Sequence, residues 1–139
     1  MSLWVLDTDM LSLLQLQHPG VIVQALSRLP DAVAISITTV QEVFIGRYDK
    51  VKRAKKSRDI IAAYARMEDS MNLLRKLPIL SYDVAADAHF AELRRNYRRI
   101  GRNDLQIAAV ALSHHATLVT RNLIDFGQID GLPIEDWSK

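Results

Sequence analysis

Leu3-Trp4-Val5-Leu6-Asp7-Thr8-Asp9 opens the chain with an apolar run that stops at a carboxylate. A short apolar stretch without alternation is the pattern of a strand buried on both faces, as parallel strands are. Residues 3–6 therefore predict a central strand, with Asp7 standing where it ends. Similar runs recur at 33–37, 79–82 and 117–120, and a short edge strand is expected at 133–135. Between them the spacing is helical over 8–17, over 21–29, from about 39, over most of 54–77, over 84–100 and over about 103–115. His18-Pro19-Gly20 breaks the first helix, Pro30-Asp31 turns into the second strand and Pro78 closes the long helical stretch. Asp83 reads as an N-cap, and Gly101 stops the helix that follows it. Strands separated by helices imply an α/β fold of three layers, α/β/α, with a central, mainly parallel sheet of four to five strands. In such sheets ligands bind beyond the carboxyl ends of the strands.

The 139 residues are 49% hydrophobic and 24% charged, the composition of a globular protein, and fit one domain over 1–139. Cysteine is absent, which excludes disulfides, thiolate metal sites and cysteine nucleophiles together. Met1-Ser2-Leu3-Trp4 carries no basic segment, and its apolar run ends too soon for a signal peptide. The uncharged stretch 105–120 falls short of the roughly 18 apolar residues of a membrane span. A cytoplasmic location without membrane attachment is expected. The formal charge of +2 is too small to imply a nucleic-acid partner, so the distribution of charge matters more.

Several acids sit at the same kind of position. Asp7 ends the first strand, Glu42 lies just after the second, and Asp104 opens the helix that leads to the fourth. Asn122 and Asp125 follow the fourth strand and compete for one role. Each has a structural reading. Asp7 or Asp9 caps the next helix. Thr39-Val40-Gln41-Glu42 matches a capping box, and Asp104 complements a helix dipole. Gly46, one turn after Glu42, reflects open space beside the carboxylate or tight helix packing. What these readings do not explain is that all the acids fall on one edge of the sheet. Crowded carboxylates raise one another's pKa unless a cation neutralises them, and Mg²⁺ or Mn²⁺ suits oxygen donors and a phosphate substrate. His114 and His115, late in their helix, read as packed or capping residues.

The segments Leu6-Asp7-Thr8-Asp9, 36–46, 101–109 and Val119-Thr120-Arg121-Asn122-Leu123-Ile124-Asp125-Phe126, with the tail Ile134-Glu135-Asp136-Trp137, resemble those of PIN-domain nucleases, specifically VapC-type toxins of toxin-antitoxin pairs. The resemblance spans nearly the whole chain. It implies a PIN-like fold and a Mg²⁺- or Mn²⁺-dependent endoribonuclease that acts as a toxin. It implies catalytic roles for Asp7, Glu42 and Asp104, with Asp7 and Asp104 as metal ligands and Thr8 and Thr38 as hydroxyl-bearing neighbours that hydrogen-bond the acids. Many members carry Asp where this chain has Asn122, so the fourth position falls to Asn122 or to Asp125. A VapB-like antitoxin and a homodimer are implied as partners, the interface lying near Val21, Leu26 and Leu29 or near Met67 and Met71.

Two basic runs stand out. One is Lys50, Lys52, Arg53, Lys55, Lys56 and Arg58. The other is Arg94, Arg95, Arg98, Arg99 and Arg102, where helical spacing groups Arg95, Arg99 and Arg102 on one side. Such runs are ordinarily solvated faces, but the second leads into Asp104, where arginines would hold RNA phosphates or receive an acidic antitoxin segment. Two rival functions are a non-catalytic RNA-binding or regulatory PIN domain, favoured by Asn122, and a haloacid-dehalogenase-like phosphatase, suggested by Asp7-Thr8-Asp9.

Overall fold

The computed structural model describes residues 2–28 and 32–139. The expected turn at Pro30-Asp31 and the helix end at Leu29 lie outside them. Strand β1 (Trp4–Leu6) sits at the centre of a five-stranded, all-parallel sheet of order β3-β2-β1-β4-β5, completed by β2 (Val33–Ser36), β3 (Ile79–Leu80), β4 (Thr117–Val119) and β5 (Ile134–Glu135). Leu6 pairs with Ile35 on one side and Val119 on the other. Flanked by neighbours and covered on both faces, β1 needs apolar side chains in both directions, which is why its run does not alternate.

Side chains of one strand point to opposite faces, and each face has its own core. Val5 and Leu118 pack with Phe90, Leu93, Ile107 and Ala108 of helices α5 (Val84–Asn96) and α6 (Arg102–Ser113). Leu6, Ile35 and Val119 pack with Met10 of α1 (Thr8–Gln15), Val21 of α2 (Pro19–Leu26), Leu74 of α4 (Ser57–Leu74) and Trp137. Each fully buried Leu, Ile or Phe stabilises the fold by roughly 1.5–3 kcal/mol. Val21 is therefore core and unavailable to an interface, whereas Leu26 is exposed. The tail is held by Trp4 and Trp137, whose indole N–H groups both donate to Glu135, and by the Arg28 guanidinium, 4.5 and 5.0 Å from the two ring centroids.

Several expected boundaries move, each for a local reason. His18-Pro19-Gly20 starts a helix as well as ending one. His18 Nδ1 accepts from the Val21 N–H at 3.4 Å, and Pro19 takes the first helical position, where no N–H is needed. Helix α3 (Ile37–Arg53) begins at Ile37 rather than near Thr39, because Ser36 is its cap and accepts from the Thr39 N–H at 3.1 Å. The capping box assigned to Thr39 and Glu42 is thus not formed. Of the first basic run, Lys50, Lys52 and Arg53 finish α3, and Arg58 lies in the first turn of α4. Helix α5 stops at Asn96, not at Gly101. Tyr97 leaves helical geometry, its hydroxyl accepts from the Asp130 N–H at 3.1 Å, and buried Ile100 turns toward the core. Gly101 is instead the N-cap of α6. A short α7 (Leu123–Phe126) precedes β5.

Chain order determines where a site forms. From β1 the chain steps outward to β2 and β3, then crosses back to β4 on the other side of β1. The reversal leaves a crevice beyond the carboxyl ends of β1 and β4.

Candidate active site

Asp7 leaves β1 at that crevice, and its N–H extends the sheet by donating to the Val119 carbonyl at 3.0 Å. The carboxylate is buried, at 7% exposure. It does cap α1, since Oδ1 accepts from the Met10 N–H at 2.8 Å. Burial dominates its electrostatics and pushes the Asp7 carboxyl up to about 6, against the opposing hydrogen bonds from Thr120 and Met10 and with added repulsion from Asp9 and Asp104. Asp104, in the first turn of α6, is also held above the ordinary carboxylate range by burial and then by Glu42 and Asp125. Small residues bring α6 against the sheet: Ala108, Ala109 and Ala111 are fully buried.

Glu42 has both oxygens occupied. Thr8 Oγ1 donates to Oε1, and Asn103 Nδ2 donates to Oε2 at 3.2 Å. Thr8 has one hydroxyl proton and gives it to a carboxylate that can only accept. Thr39 Oγ1, 3.1 Å from Thr8 Oγ1, therefore donates to Thr8, and Ser36 stands 3.4 Å behind Thr39. This hydroxyl chain ties the ends of β2 and α3 to α1. Gly46 meets open space, which removes tight packing as the reason for it.

A cleft of about 430 Å³ gathers these groups and is lined by Asp7, Thr8, Asp9, Glu42, Asp104, Arg121, Asn122 and Phe126. Asp125 does not line it; it is hydrogen-bonded to Asn122, which does, and its charge helps raise the Asp104 carboxyl. Asn122 caps α7, its Oδ1 accepting from the Asp125 N–H at 3.2 Å and its Nδ2 donating to Asp125 Oδ2 at 3.1 Å. A larger cleft of about 700 Å³ runs between α1, α2 and α4 past Leu14, Leu73 and Leu77, but lacks convergent carboxylates.

The structure thus brings together Asp7, Thr8, Glu42, Asp104 and Asn122. Thr38 is buried and does not line the cleft; its neighbour Thr39 is the hydroxyl that meets Thr8. Arg95, Arg99 and Arg102 share no helix face, because α5 ends before Arg99 and α6 begins at Arg102; all three are exposed and outside the cleft. His114 caps α6, with Nδ1 3.0 Å from the Val110 carbonyl, at the end of the helix away from Asp104. Sequence reasoning passed over Asn103, Thr39, Thr120 and the Asp9–Arg121 pair. The available signal was position alone: Arg121 and Thr120 directly follow β4, and Asp9 lies two residues after Asp7.

A parallel sheet whose switch point gathers carboxylates defines the class, and the PIN-domain family matches residues 4–132; the chain belongs to that family. Within it, the chain is similar to the protein named ribonuclease VapC2 of Haemophilus influenzae, 32% identical over 138 residues, 96% of this chain and 97% of the relative. It is 28% identical over 139 residues to the tRNA(fMet)-specific endonuclease VapC of Shigella flexneri, covering 97% of this chain and 98% of that one. Among solved structures, VapBC2 from Rickettsia felis bound to a promoter DNA fragment superposes with a TM-score of 0.75 at 28% identity, covering 97% of this chain and 98% of that one.

Proposed function

We propose that this protein is a divalent-metal-dependent endoribonuclease and the toxin of a toxin-antitoxin pair. The observation that carries the reading is the convergence of Asp7, Glu42 and Asp104 in one cleft at the topological switch point. The names of the relatives, ribonuclease and transfer-RNA endonuclease, agree with it. A buried Asp7 held up to about 6 next to other acids is a site that gains from a cation. Among the described residues no three His, Asp or Glu side chains are arranged to hold one ion directly. Mg²⁺ and Mn²⁺ bind through one or two carboxylates and keep several waters. Asp7 and Asp104 are the proposed ligands.

When bound, the ion supplies Lewis-acid polarisation of the scissile phosphate. The protein supplies orientation. Glu42, fixed by Thr8 and Asn103, presents a rigid carboxylate to the attacking water, and Asp125, tethered by Asn122, adds negative charge beside Asp104. Exposed Arg95, Arg99 and Arg102 are the proposed outer contacts for RNA, from the end of α5, the following loop and the head of α6. A VapB-like antitoxin and a second copy of the chain are the proposed protein partners, by analogy with the VapBC assembly. No helix among the described residues is long and apolar enough to cross a membrane.

The phosphatase alternative needs Asp9 free as a proton donor, and Asp9 is instead engaged by Arg121 through two hydrogen bonds. Sequencing RNA 5′ ends after brief induction tests the proposal and identifies the target. Discrete new ends absent from an Asp7→Asn control are expected, and unchanged ends would reject it.

A further inference from the structure

Of the residues lining the acidic cleft, Arg121 is the one cation; the other charged groups are Asp7, Asp9, Glu42 and Asp104. It bridges the two lips of the crevice. Arg121 immediately follows buried Thr120 at the end of β4, and Asp9 sits in the first turn of α1. The contact uses one edge of the guanidinium: Nε donates to Asp9 Oδ2 at 2.7 Å and one Nη to Oδ1 at 3.0 Å.

That geometry leaves something over. A guanidinium has five N–H groups in a planar fork, and Asp9 consumes two. The outer edge, one N–H from each terminal nitrogen, remains parallel and available, the pattern that grips a phosphate through two bonds. Both side chains are half-exposed, at 50% each. An exposed ion pair contributes little to stability, so a structural clasp is a weak reason for its placement. Holding a cation in one orientation among carboxylates is a stronger one, since an acidic cleft otherwise repels a polyanion.

We infer that Arg121 is a substrate-contacting residue whose free guanidinium edge binds an RNA phosphate next to the one cut, and that Asp9 is a positioning residue that aims it. The inference deepens the nuclease reading and rests on it. Its consequence separates charge from geometry. Arg121→Ala removes both, Arg121→Lys keeps the charge and loses the fork, and Asp9→Asn leaves the Arg121 cation in place but removes the partner carboxylate that aims it.

The test uses the full chain and a labelled single-stranded RNA oligonucleotide in two arms. In EDTA, where no metal-dependent cleavage occurs, binding is measured across a salt series. Arg121→Ala should weaken it several-fold and reduce the slope of log affinity against log salt by about 0.7, one phosphate contact on a single strand. Arg121→Lys and Asp9→Asn should keep the parent slope. With Mg²⁺, Arg121→Ala and Arg121→Lys should each lose at least about tenfold in kcat/KM, and Asp9→Asn should lower kcat with a smaller change in KM. Parent slope and parent rate in Arg121→Ala, with only a lower Tm, would overturn the inference and make the pair a structural clasp. A parent chain that fails to cleave with Mg²⁺ would reject the nuclease reading separately, and the EDTA arm would still decide whether Arg121 holds phosphate.

Discussion

Asn122 and Asp125 hold each other: the amide oxygen of Asn122 accepts the Asp125 N–H at 3.2 Å while its nitrogen donates to the Asp125 carboxylate at 3.1 Å. The Asn122 oxygen is therefore occupied as a helix cap, and the charge at this position belongs to Asp125. Asp125→Ala should cost more activity than Asn122→Ala, by on the order of tenfold, the equivalent of about 1.4 kcal/mol. Asn122→Ala should mainly lower stability, by about 1 kcal/mol for a lost cap. Comparison of kcat/KM at matched Mg²⁺ with folding verified decides it; a larger loss from Asn122→Ala would make the amide the fourth group.

Burial of the Asp7 carboxyl costs stability at neutral pH. The group is held near 6 in the folded chain without metal, above the ordinary value of 3.8, so the folded state binds that proton more tightly than the unfolded one. Stability of the metal-free protein should therefore fall as pH rises from about 4 through 6, with roughly 3 kcal/mol from this group in all. Asp7→Asn, which can still cap Met10, should raise Tm at pH 7.5 and show little difference near pH 4, while abolishing cleavage. Calorimetry in EDTA reads this out, and a lower Tm for the variant at pH 7.5 would contradict the burial penalty.

Mg²⁺ should reverse that penalty. Millimolar Mg²⁺ should raise the Tm of the parent at pH 7.5 and leave Asp7→Asn and Asp104→Asn nearly unmoved, since a ligand that binds only the folded state stabilises it by mass action. The shift should shrink as pH drops through 6, where the proton competes for Asp7. An equal shift in all three chains would place the ion elsewhere.

Thr8 donates to Glu42, and its proposed role is to hold that carboxylate in place. Losing a hydrogen bond to a charged acceptor costs about 1.5–3 kcal/mol where the acceptor must stay fixed, so Thr8→Val should lower kcat roughly tenfold or more with KM close to the parent. Thr8→Ser should retain most activity. Parent-like kcat in Thr8→Val would remove Thr8 from the site.

What the sequence made legible was what short-range pattern carries. Unalternating apolar runs located β1, β2 and β4; the segments that follow β1 and β2 led to Asp7 and Glu42, and the head of the helix before β4 led to Asp104. The losses were of two kinds. One was the choice between adjacent hydroxyls: the resemblance pointed to Thr38, whereas Thr39, whose N–H donates to the Ser36 cap, is the residue whose Oγ1 meets Thr8. The other was long-range pairing. Arg94 to Arg99 continue a helical pattern, and nothing local says that Tyr97 will end it by meeting the backbone of Asp130. Asp9 and Arg121 are likewise joined only once β1 and β4 lie side by side.

These carboxylates are proposed to work through a divalent ion on RNA. The most direct measurement follows cleavage of a single-stranded RNA by the purified chain with Mg²⁺, with excess EDTA, and with Asp104→Asn in Mg²⁺. Cleavage only by the parent in Mg²⁺ is the expected result, and undiminished cleavage in EDTA would contradict it.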